Sequence, residues 1–192
     1  MYSNLPIFET ERLILREIRD EDFLDMYEYA SLPYIGPQAG WEPHTSYDHT
    51  RLSIKLFRNK GKFNQLGVYS IILKSENKMI GTCELHTYTP NFKAELGYTI
   101  NPNYWGCGYA VEAGRALIEW GFETLNLKRI ECNAFTNNAQ SLRVAQKLGF
   151  VNEGIRRKAY QLYNGYIGDL NCNSMIDEDY YKMKRERYIK QK

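Results

Sequence analysis

The most constraining part of the 192-residue sequence is residues 103–113, which read NYWGCGYAVEA. Gly106 and Gly108 separate a strand-like run, residues 95–100, from a stretch whose apolar residues recur at helical spacing. Glycine lets another group approach the main chain closely, and the start of a helix offers unpaired N–H groups to an anion. The stretch alone leaves two interpretations open: a plain strand-to-helix turn, or a turn that binds a phosphate.

Neither of two common nucleotide-binding motifs accounts for this turn. The phosphate loop of NTPases needs G-x-x-x-x-G-K followed by Ser or Thr, and nothing in the sequence matches it. The dinucleotide motif G-x-G-x-x-G needs a third glycine, but Val111 stands at that position. The chain also lacks the succession of parallel units that the dinucleotide fold requires.

Composition narrows the class of protein. The net charge of +2 gives no strong field for nucleic acid or an anionic membrane, and no apolar run is long enough to span a bilayer. Residues 1–8 lack the pattern of a secretory signal. The cysteines show no C-x-x-C spacing, which is typical of reduced thiols in a cytoplasmic protein; they are Cys83, Cys107, Cys132 and Cys172. The histidines, His44, His49 and His86, form no credible metal set, so we expect no metal.

The order of the predicted segments indicates an α/β (α+β) domain with helices on both faces of one mixed, mostly antiparallel sheet. Strands are predicted at 12–16, 66–73, 78–88, 95–100, 127–135, 150–155 and 169–176. Helices are predicted at 20–30, 46–59, 108–125 and 138–148, with a loop at 31–44. The strands on either side of helix 108–125 should be parallel, because a crossover joins them. We expect one domain, residues 8–177, and a charged, helical tail, residues 178–192.

Four segments together resemble the GNAT superfamily of N-acetyltransferases, and more narrowly its RimJ/RimL-like branch, whose members acetylate ribosomal-protein N-termini. The resemblance covers residues 8–177, and no single segment carries it alone. The segments are residues 102–113; residues 11–16 with Asp22; residues 138–141 with 147–150 and 153–154; and Asn164 and Gly165 with Asp169. Asn103 departs from the Gln or Arg common at that position of the superfamily.

The resemblance implies a GNAT fold whose sheet splays between the strand ending at Ile100 and the strand beginning near Leu127. It implies that acetyl-CoA is the acetyl donor and that its pantetheine arm lies in this split. Main-chain groups of Tyr98 and Ile100, with Asn138, would hold the arm. The pyrophosphate would lie over the turn, which comprises Tyr104, Trp105, Gly106, Cys107, Gly108, Tyr109 and Ala110.

The resemblance further implies direct attack of a primary amine on the thioester. By its match to the family's Asn-x-x-Ser, Ser141 is the candidate acid for the leaving thiolate; the alternatives are a simple helix-turn serine, or an acid among Tyr104 and Tyr160. Glu84 and Glu95 are candidates for the base, although each is also a normal solvent-facing strand residue. Residues 156–163 contain no acid, so the base that some relatives carry there is not supported.

The acceptor is predicted to be a protein N-terminus or a small amine, such as a polyamine, an amino acid or a drug. The acceptor loops should be residues 31–45 and 156–168, which hold Tyr34, Trp41, His44, Tyr160, Tyr163 and Tyr166. A module that binds acyl-CoA without catalysis is the alternative from another class of protein. A homodimer is compatible with the sequence, which does not determine the oligomeric state.

Overall fold

The computed structural model describes residues 5–60 and 65–190. In these residues the chain forms one sheet of nine strands and six α-helices. The strands are β1 (Phe8–Glu9), β2 (Leu13–Glu17), β3 (Val68–Leu73), β4 (Lys78–Thr89), β5 (Lys93–Ile100), β6 (Arg129–Glu131), β7 (Ala134–Phe135), β8 (Val151–Gln161) and β9 (Ile167–Ile176). The helices are α1 (Phe23–Ala30), α2 (Gly36–Ala39), α3 (Tyr47–Arg58), α4 (Tyr109–Glu123), α5 (Ala139–Leu148) and α6 (Asp177–Lys190).

The sheet is mixed and mostly antiparallel, as predicted. Strands β1 to β6 follow one another in space, and β9 then pairs with β6, β7 and β8. Every described pairing is antiparallel except that of β5 with β6. The chain crosses from β5 to β6 through α4, which confirms the predicted parallel unit around the glycine turn.

Helices cover both faces of the sheet because each face carries its own apolar cluster. On one face, α4 packs Ala113 and Leu117 against strand residues such as Leu85 and Leu96. On the other face, α1 and α3 contribute a second cluster that includes Met26, Tyr29, Ala30 and Ile54. The glycine turn at the start of α4 is therefore held at the edge of a packed core.

Local sequence signals set the ends of the helices. Ser46 begins α3 by accepting a hydrogen bond from the N–H of His49 at 3.1 Å. Asn138 caps α5 by accepting a hydrogen bond from the N–H of Ser141 at 3.0 Å. Gly149 ends α5 with a left-handed φ of 93°, a conformation that favours glycine. Helix α6 begins at residue 177, and its Tyr180 stacks on Phe122 of α4 at 5.0 Å.

Three predicted segments differ from the structure. The predicted loop 31–44 contains the short helix α2, which begins with Gly36 and Pro37. The predicted strand 127–135 is broken into β6 and β7, because the N–H of Cys132 bonds the Asn173 carbonyl at 2.8 Å and the Asn173 amide bonds back to the Cys132 carbonyl at 3.0 Å. The predicted acceptor loop 156–168 is mostly strand. Strand β8 continues to residue 161 and β9 begins at residue 167, so only residues 162–166 form the turn of a hairpin.

Candidate active site

A cleft of about 590 Å³ runs along β5 and joins the two faces of the sheet. The glycine turn and α5 line one end of it, and α2, the loop that follows and β8 line the other. Every residue predicted for catalysis or cofactor binding lines this cleft except Cys107. The thiol of Cys107 is exposed, and its Sγ lies 3.7 Å from the Trp105 carbonyl.

The cleft exists because β5 and β6 separate. Their pairing runs from Lys93 opposite Arg129 to Glu95 opposite Glu131 and goes no further in the described chain. Beyond Glu95, β5 remains paired with β4 on its other side only. The break at Cys132 turns the chain away from β5 at the same level. The splay that the family resemblance implied is therefore a geometric consequence of the interruption between β6 and β7.

The main chain of Tyr98 faces this opening. Hydrogen-bonding residues alternate along an antiparallel pair, and the N–H of Asn101 bonds the carbonyl of Ile80 in β4 at 2.8 Å. In the same register, Thr99 directs its main-chain groups at β4, and Tyr98 and Ile100 direct theirs into the split. The Ile100 carbonyl there accepts a hydrogen bond from the indole Nε1 of Trp105 at 2.8 Å. The N–H and carbonyl of Tyr98 are thus the main-chain groups best placed for a ligand.

The glycine turn presents bare backbone at the end of α4. Gly106 and Gly108 have φ angles of 81° and 83°, in the left-handed region that favours glycine. A Cβ built on Gly106 would meet nothing within 4 Å, so this side of the turn is open space. The first N–H groups of the 15-residue helix α4 have no carbonyl partners within the helix. Open backbone and unpaired N–H groups together are a geometry that can bind an anion.

An ion pair made by Arg12, the residue directly before β2, braces this turn. Arg12 bonds Glu112 of α4 through Nε at 2.7 Å and donates through Nη1 to the Cys107 carbonyl at 3.0 Å. Its guanidinium also lies 4.5 Å from the ring centre of Tyr109. Burial alone would raise the pKa of Glu112, but hydrogen bonds from Thr10 and from the backbone and side chain of Arg12 outweigh it and lower that pKa. Glu112 is therefore ionised and holds Arg12 against the start of α4.

Ser141 of α5 contacts Tyr98 of β5 across the cleft. The Ser141 Oγ lies 2.9 Å from the Tyr98 hydroxyl oxygen. Burial raises the pKa of Tyr98, so its phenol stays protonated at neutral pH. The carboxamide oxygen of Asn138 is used to cap α5, which leaves its amide group to donate to a ligand.

The two candidate bases lie on the other face of the sheet. Leu96 packs under α4, and side chains alternate along a strand, so Glu95 points to the face that carries α1 and α3. Glu84 points to that same face, opposite Gly97. One oxygen of Glu84 lies 2.5 Å from Lys60 Nζ, so this carboxylate already balances a cation.

The predicted acceptor aromatics separate into two groups. Tyr34, Trp41 and Tyr160 line the cleft. The Tyr160 hydroxyl donates to the Gly40 carbonyl at 3.4 Å, so β8 and the segment after α2 meet over the opening. Tyr163 and Tyr166 are exposed and do not line it.

His44 does not line the cleft, which corrects its assignment to the acceptor site. It is buried against α3, where Nδ1 lies 2.9 Å from the Thr50 hydroxyl and Nε2 lies 3.2 Å from that of Ser53. Burial, and then the neighbouring His49, lowers the pKa of His44 to about 4. The neutral ring instead fastens the loop that carries Trp41.

Sequence reasoning did not assign a site role to several residues that the structure places here. Arg12 belongs to the segment that suggested the family, but its bond to the turn connects positions 95 residues apart. Cys132, Arg143, Gln38 and Phe57 line the cleft with no local motif around them. Only the alternation of side chains along the broken strand could have indicated Cys132.

Among residues 5–60 and 65–190, no group of three or more His, Cys, Asp or Glu side chains could hold a metal ion. No helix in this part of the chain is long and apolar enough to cross a membrane.

Comparison with known proteins identifies the class. Residues 12–151 match the model of the acetyltransferase (GNAT) domain, and the chain belongs to this family of acetyltransferases. The uncharacterised N-acetyltransferase p20 of Bacillus licheniformis is 34% identical over 172 residues, which is 89% of this chain and 96% of p20. The ribosomal protein uS5-alanine N-acetyltransferase of Escherichia coli (strain K12) is 28% identical over 192 residues, 93% of this chain and 95% of that enzyme.

A solved structure agrees with the family match and with the two relatives. The ribosomal-protein-S5-alanine acetyltransferase from Vibrio fischeri superimposes with a TM-score of 0.74 at 28% identity, covering 91% of this chain and 98% of that one. The protein is therefore an enzyme of the GNAT fold, as the four sequence segments predicted, rather than a binding module without catalysis.

Proposed function

We propose that this acetyltransferase transfers the acetyl group of acetyl-CoA to the N-terminal α-amine of a protein, by direct attack. The observation that carries the proposal is the cleft itself, which joins the anion site at the glycine turn to an aromatic opening on the opposite face. A donor bound at one end and an amine entering at the other would meet beside Tyr98. Relatives of similar length that are named for acetylating ribosomal protein S5 support an N-terminal acceptor.

The donor would be held mainly by backbone. The pyrophosphate would lie on the N–H groups at Gly106, Gly108 and the start of α4, with the positive end of the helix dipole behind it. The pantetheine arm would pair with the free main-chain groups of Tyr98 and with the amide of Asn138. Because the contacts proposed for the pyrophosphate are with backbone, the departure at Asn103 should have little effect on donor binding.

The chemistry has three needs: a neutral amine, a fixed geometry and a stabilised leaving thiolate. Holding the two reactants in line supplies roughly 7–11 kcal/mol of the barrier, and one acid or base adds about 10²–10⁴-fold. The N–H of Tyr98 would stabilise the developing oxyanion, and the Ser141 hydroxyl would donate to the thiolate. Positioning therefore contributes more to lowering the activation barrier than an acid or base does, so a strong base is not required.

An α-amine fits this arrangement because it needs little help to lose its proton. Its pKa is about 8, against about 10.4 for lysine. Glu84 is committed to Lys60, which favours a charge-balancing role over a catalytic one. Glu95 remains a candidate base that would act through water.

A second acceptor class, a small cationic amine such as a polyamine, is favoured by one observation. Glu95 faces the acceptor end of the cleft, where its carboxylate would attract a multiply charged amine. A cytoplasmic location and a homodimer stay predictions from the sequence.

An acceptor screen that reads free CoA thiol tests the proposal. It compares a peptide with a free N-terminal alanine, the same peptide with a blocked N-terminus and an internal lysine, spermidine and an aminoglycoside. We expect turnover with the free peptide and none with the blocked one. Turnover confined to spermidine or the aminoglycoside would refute the N-terminal acceptor.

A further inference from the structure

The contact between Tyr98 and Ser141 links the two sides of the cleft. Tyr98 belongs to β5 and Ser141 to the first turn of α5, 43 residues apart, with their hydroxyl oxygens 2.9 Å from each other. Both residues line the cleft. Among the described residues, neither hydroxyl has another hydrogen-bond partner. The pair therefore lies where the reactants would meet.

Either hydroxyl could donate this hydrogen bond, and the acidity of the two groups favours one direction. A phenol is more acidic than an alcohol, which favours Tyr98 as the donor and the Ser141 oxygen as the acceptor. The Tyr98 phenol keeps its hydrogen because burial disfavours the phenolate. The hydrogen of Ser141 is then free for a second partner, and a hydroxyl that accepts a hydrogen bond becomes a better donor.

We propose that Tyr98 is a positioning residue that orients the Ser141 hydroxyl so that its hydrogen points at the sulfur of acetyl-CoA. The inference rests on the proposed function, in which Ser141 stabilises the leaving thiolate. A lone serine hydroxyl rotates freely about its Cβ–Oγ bond and would satisfy any acceptor. The bond from Tyr98 occupies one lone pair of the oxygen and so restricts that rotation.

The transfer balances without a change in either residue. The amine nitrogen forms a bond to the acetyl carbon, the carbon–sulfur bond breaks, and CoA leaves with the electron pair. The hydrogen bond from Ser141 stabilises the charge on sulfur. The nitrogen releases its surplus proton to solvent, and the thiolate takes a proton from solvent. Tyr98 and Ser141 each end the cycle with the hydrogen they began with.

A double-mutant cycle tests the proposal on the full chain. Tyr98→Phe should lower kcat by roughly 5- to 20-fold, less than the loss of a direct donor, with the KM for acetyl-CoA changed by less than about twofold. In a Ser141→Ala background, Tyr98→Phe should cost less than about a further twofold, because residues that act through one another are not additive. Ser141→Thr keeps a hydroxyl and should stay sensitive to Tyr98→Phe.

Tyr69→Phe is the matched control. Tyr69 is a buried tyrosine of the same core, does not line the cleft, and its hydroxyl has no hydrogen-bond partner in the described structure. It should leave kcat unchanged. Tyr98→Met, whose flexible side chain fills the same space, replaces Tyr98→Phe if that variant does not fold.

Three results would overturn the inference: wild-type kcat in Tyr98→Phe, an undiminished effect of Tyr98→Phe in the Ser141→Ala background, or wild-type kcat in Ser141→Ala. The last would also remove Ser141 from the mechanism. It would leave acetyl transfer to the peptide standing, because the same assay measures that turnover directly.

Discussion

Comparing Gly106 with Gly165 separates two effects of replacing a glycine: the loss of folding free energy from a strained backbone, and the loss of affinity for an anion. Gly106 and Gly165 have nearly the same left-handed φ, 81° and 84°, and a Cβ on either would meet nothing within 4 Å. Gly165 lies in the β8–β9 turn, whereas the open side of Gly106 faces the cleft. Replacement by alanine therefore imposes the same strain at two places with different surroundings.

We predict that Gly106→Ala and Gly165→Ala both lose about 1–2 kcal/mol of folding free energy, measured by urea denaturation. Only Gly106→Ala should also weaken CoA binding, by roughly 10-fold in Kd or about 1.4 kcal/mol, because its methyl group occupies the path of the pyrophosphate. Calorimetric titration gives the Kd of each variant. Equal Kd values for the two variants would show that the pyrophosphate does not contact this side of the turn.

The ion pair of Arg12 with Glu112 of α4 makes a second prediction. Arg12, directly before β2, bonds the Cys107 carbonyl and Glu112, whereas Arg16, four residues further on and within β2, bonds Asp22 on the other face of the sheet. Arg12→Gln should raise the Kd for CoA by about 3- to 10-fold, the loss of roughly one positioning hydrogen bond. Arg16→Gln should destabilise the fold at least as much, because its pair is more buried, and leave that Kd unchanged. If both variants bind CoA with wild-type affinity, the brace supports the fold alone.

The contacts of His44 with Thr50 and Ser53 of α3 should make the stability of the protein depend on pH. The pKa of His44 is lowered to about 4, against an ordinary value near 6.5, so the unfolded chain binds a proton that the folded chain refuses. Stability is then complete above pH 6.5 and falls as the pH drops toward 4, by as much as roughly 3 kcal/mol. Urea midpoints measured between pH 7 and 4 should show a shallower decline in His44→Gln than in the wild type. His86→Gln is the control, and an equal decline in all three proteins would contradict the assignment.

The helix ends, the broken strand and the contacts across the cleft differ in how far the sequence could predict them. Helix ends depend on residues three or four positions apart, so Ser46, Asn138 and Gly149 could be read directly. The break between β6 and β7 depends on Asn173, which is 41 residues away, and periodicity alone predicted one continuous strand. The contacts of Arg12 with Glu112 and of Tyr98 with Ser141 span 100 and 43 residues. Local sequence patterns cannot predict contacts between residues so far apart in the chain.

In the proposed mechanism, the molecule as a whole divides the two reactants between the faces of its sheet. The donor would bind at α4, α5 and the glycine turn, and the acceptor would enter through the opening formed by α2, β8 and the segment between α2 and α3. The two meet only where β5 leaves β6. A split of this kind explains how the GNAT fold can keep one donor site while the acceptor changes, since the acceptor surface comes from different segments of the chain.

This proposed division makes the pH dependence of the rate a property of the acceptor more than of the enzyme. If no enzyme carboxylate removes the proton, as proposed, kcat/KM for a peptide acceptor should rise about tenfold per pH unit and level off near pH 8, the pKa of an α-amine. With spermidine the rise should continue toward pH 10. Glu84→Gln should leave the profile unchanged, because Lys60 already holds that carboxylate, and Glu95→Gln should at most lower the plateau. Steady-state rates from pH 5.5 to 10 check this. A peptide profile that levels off near pH 6–7, and loses that plateau in Glu84→Gln or Glu95→Gln, would show that an enzyme carboxylate removes the proton.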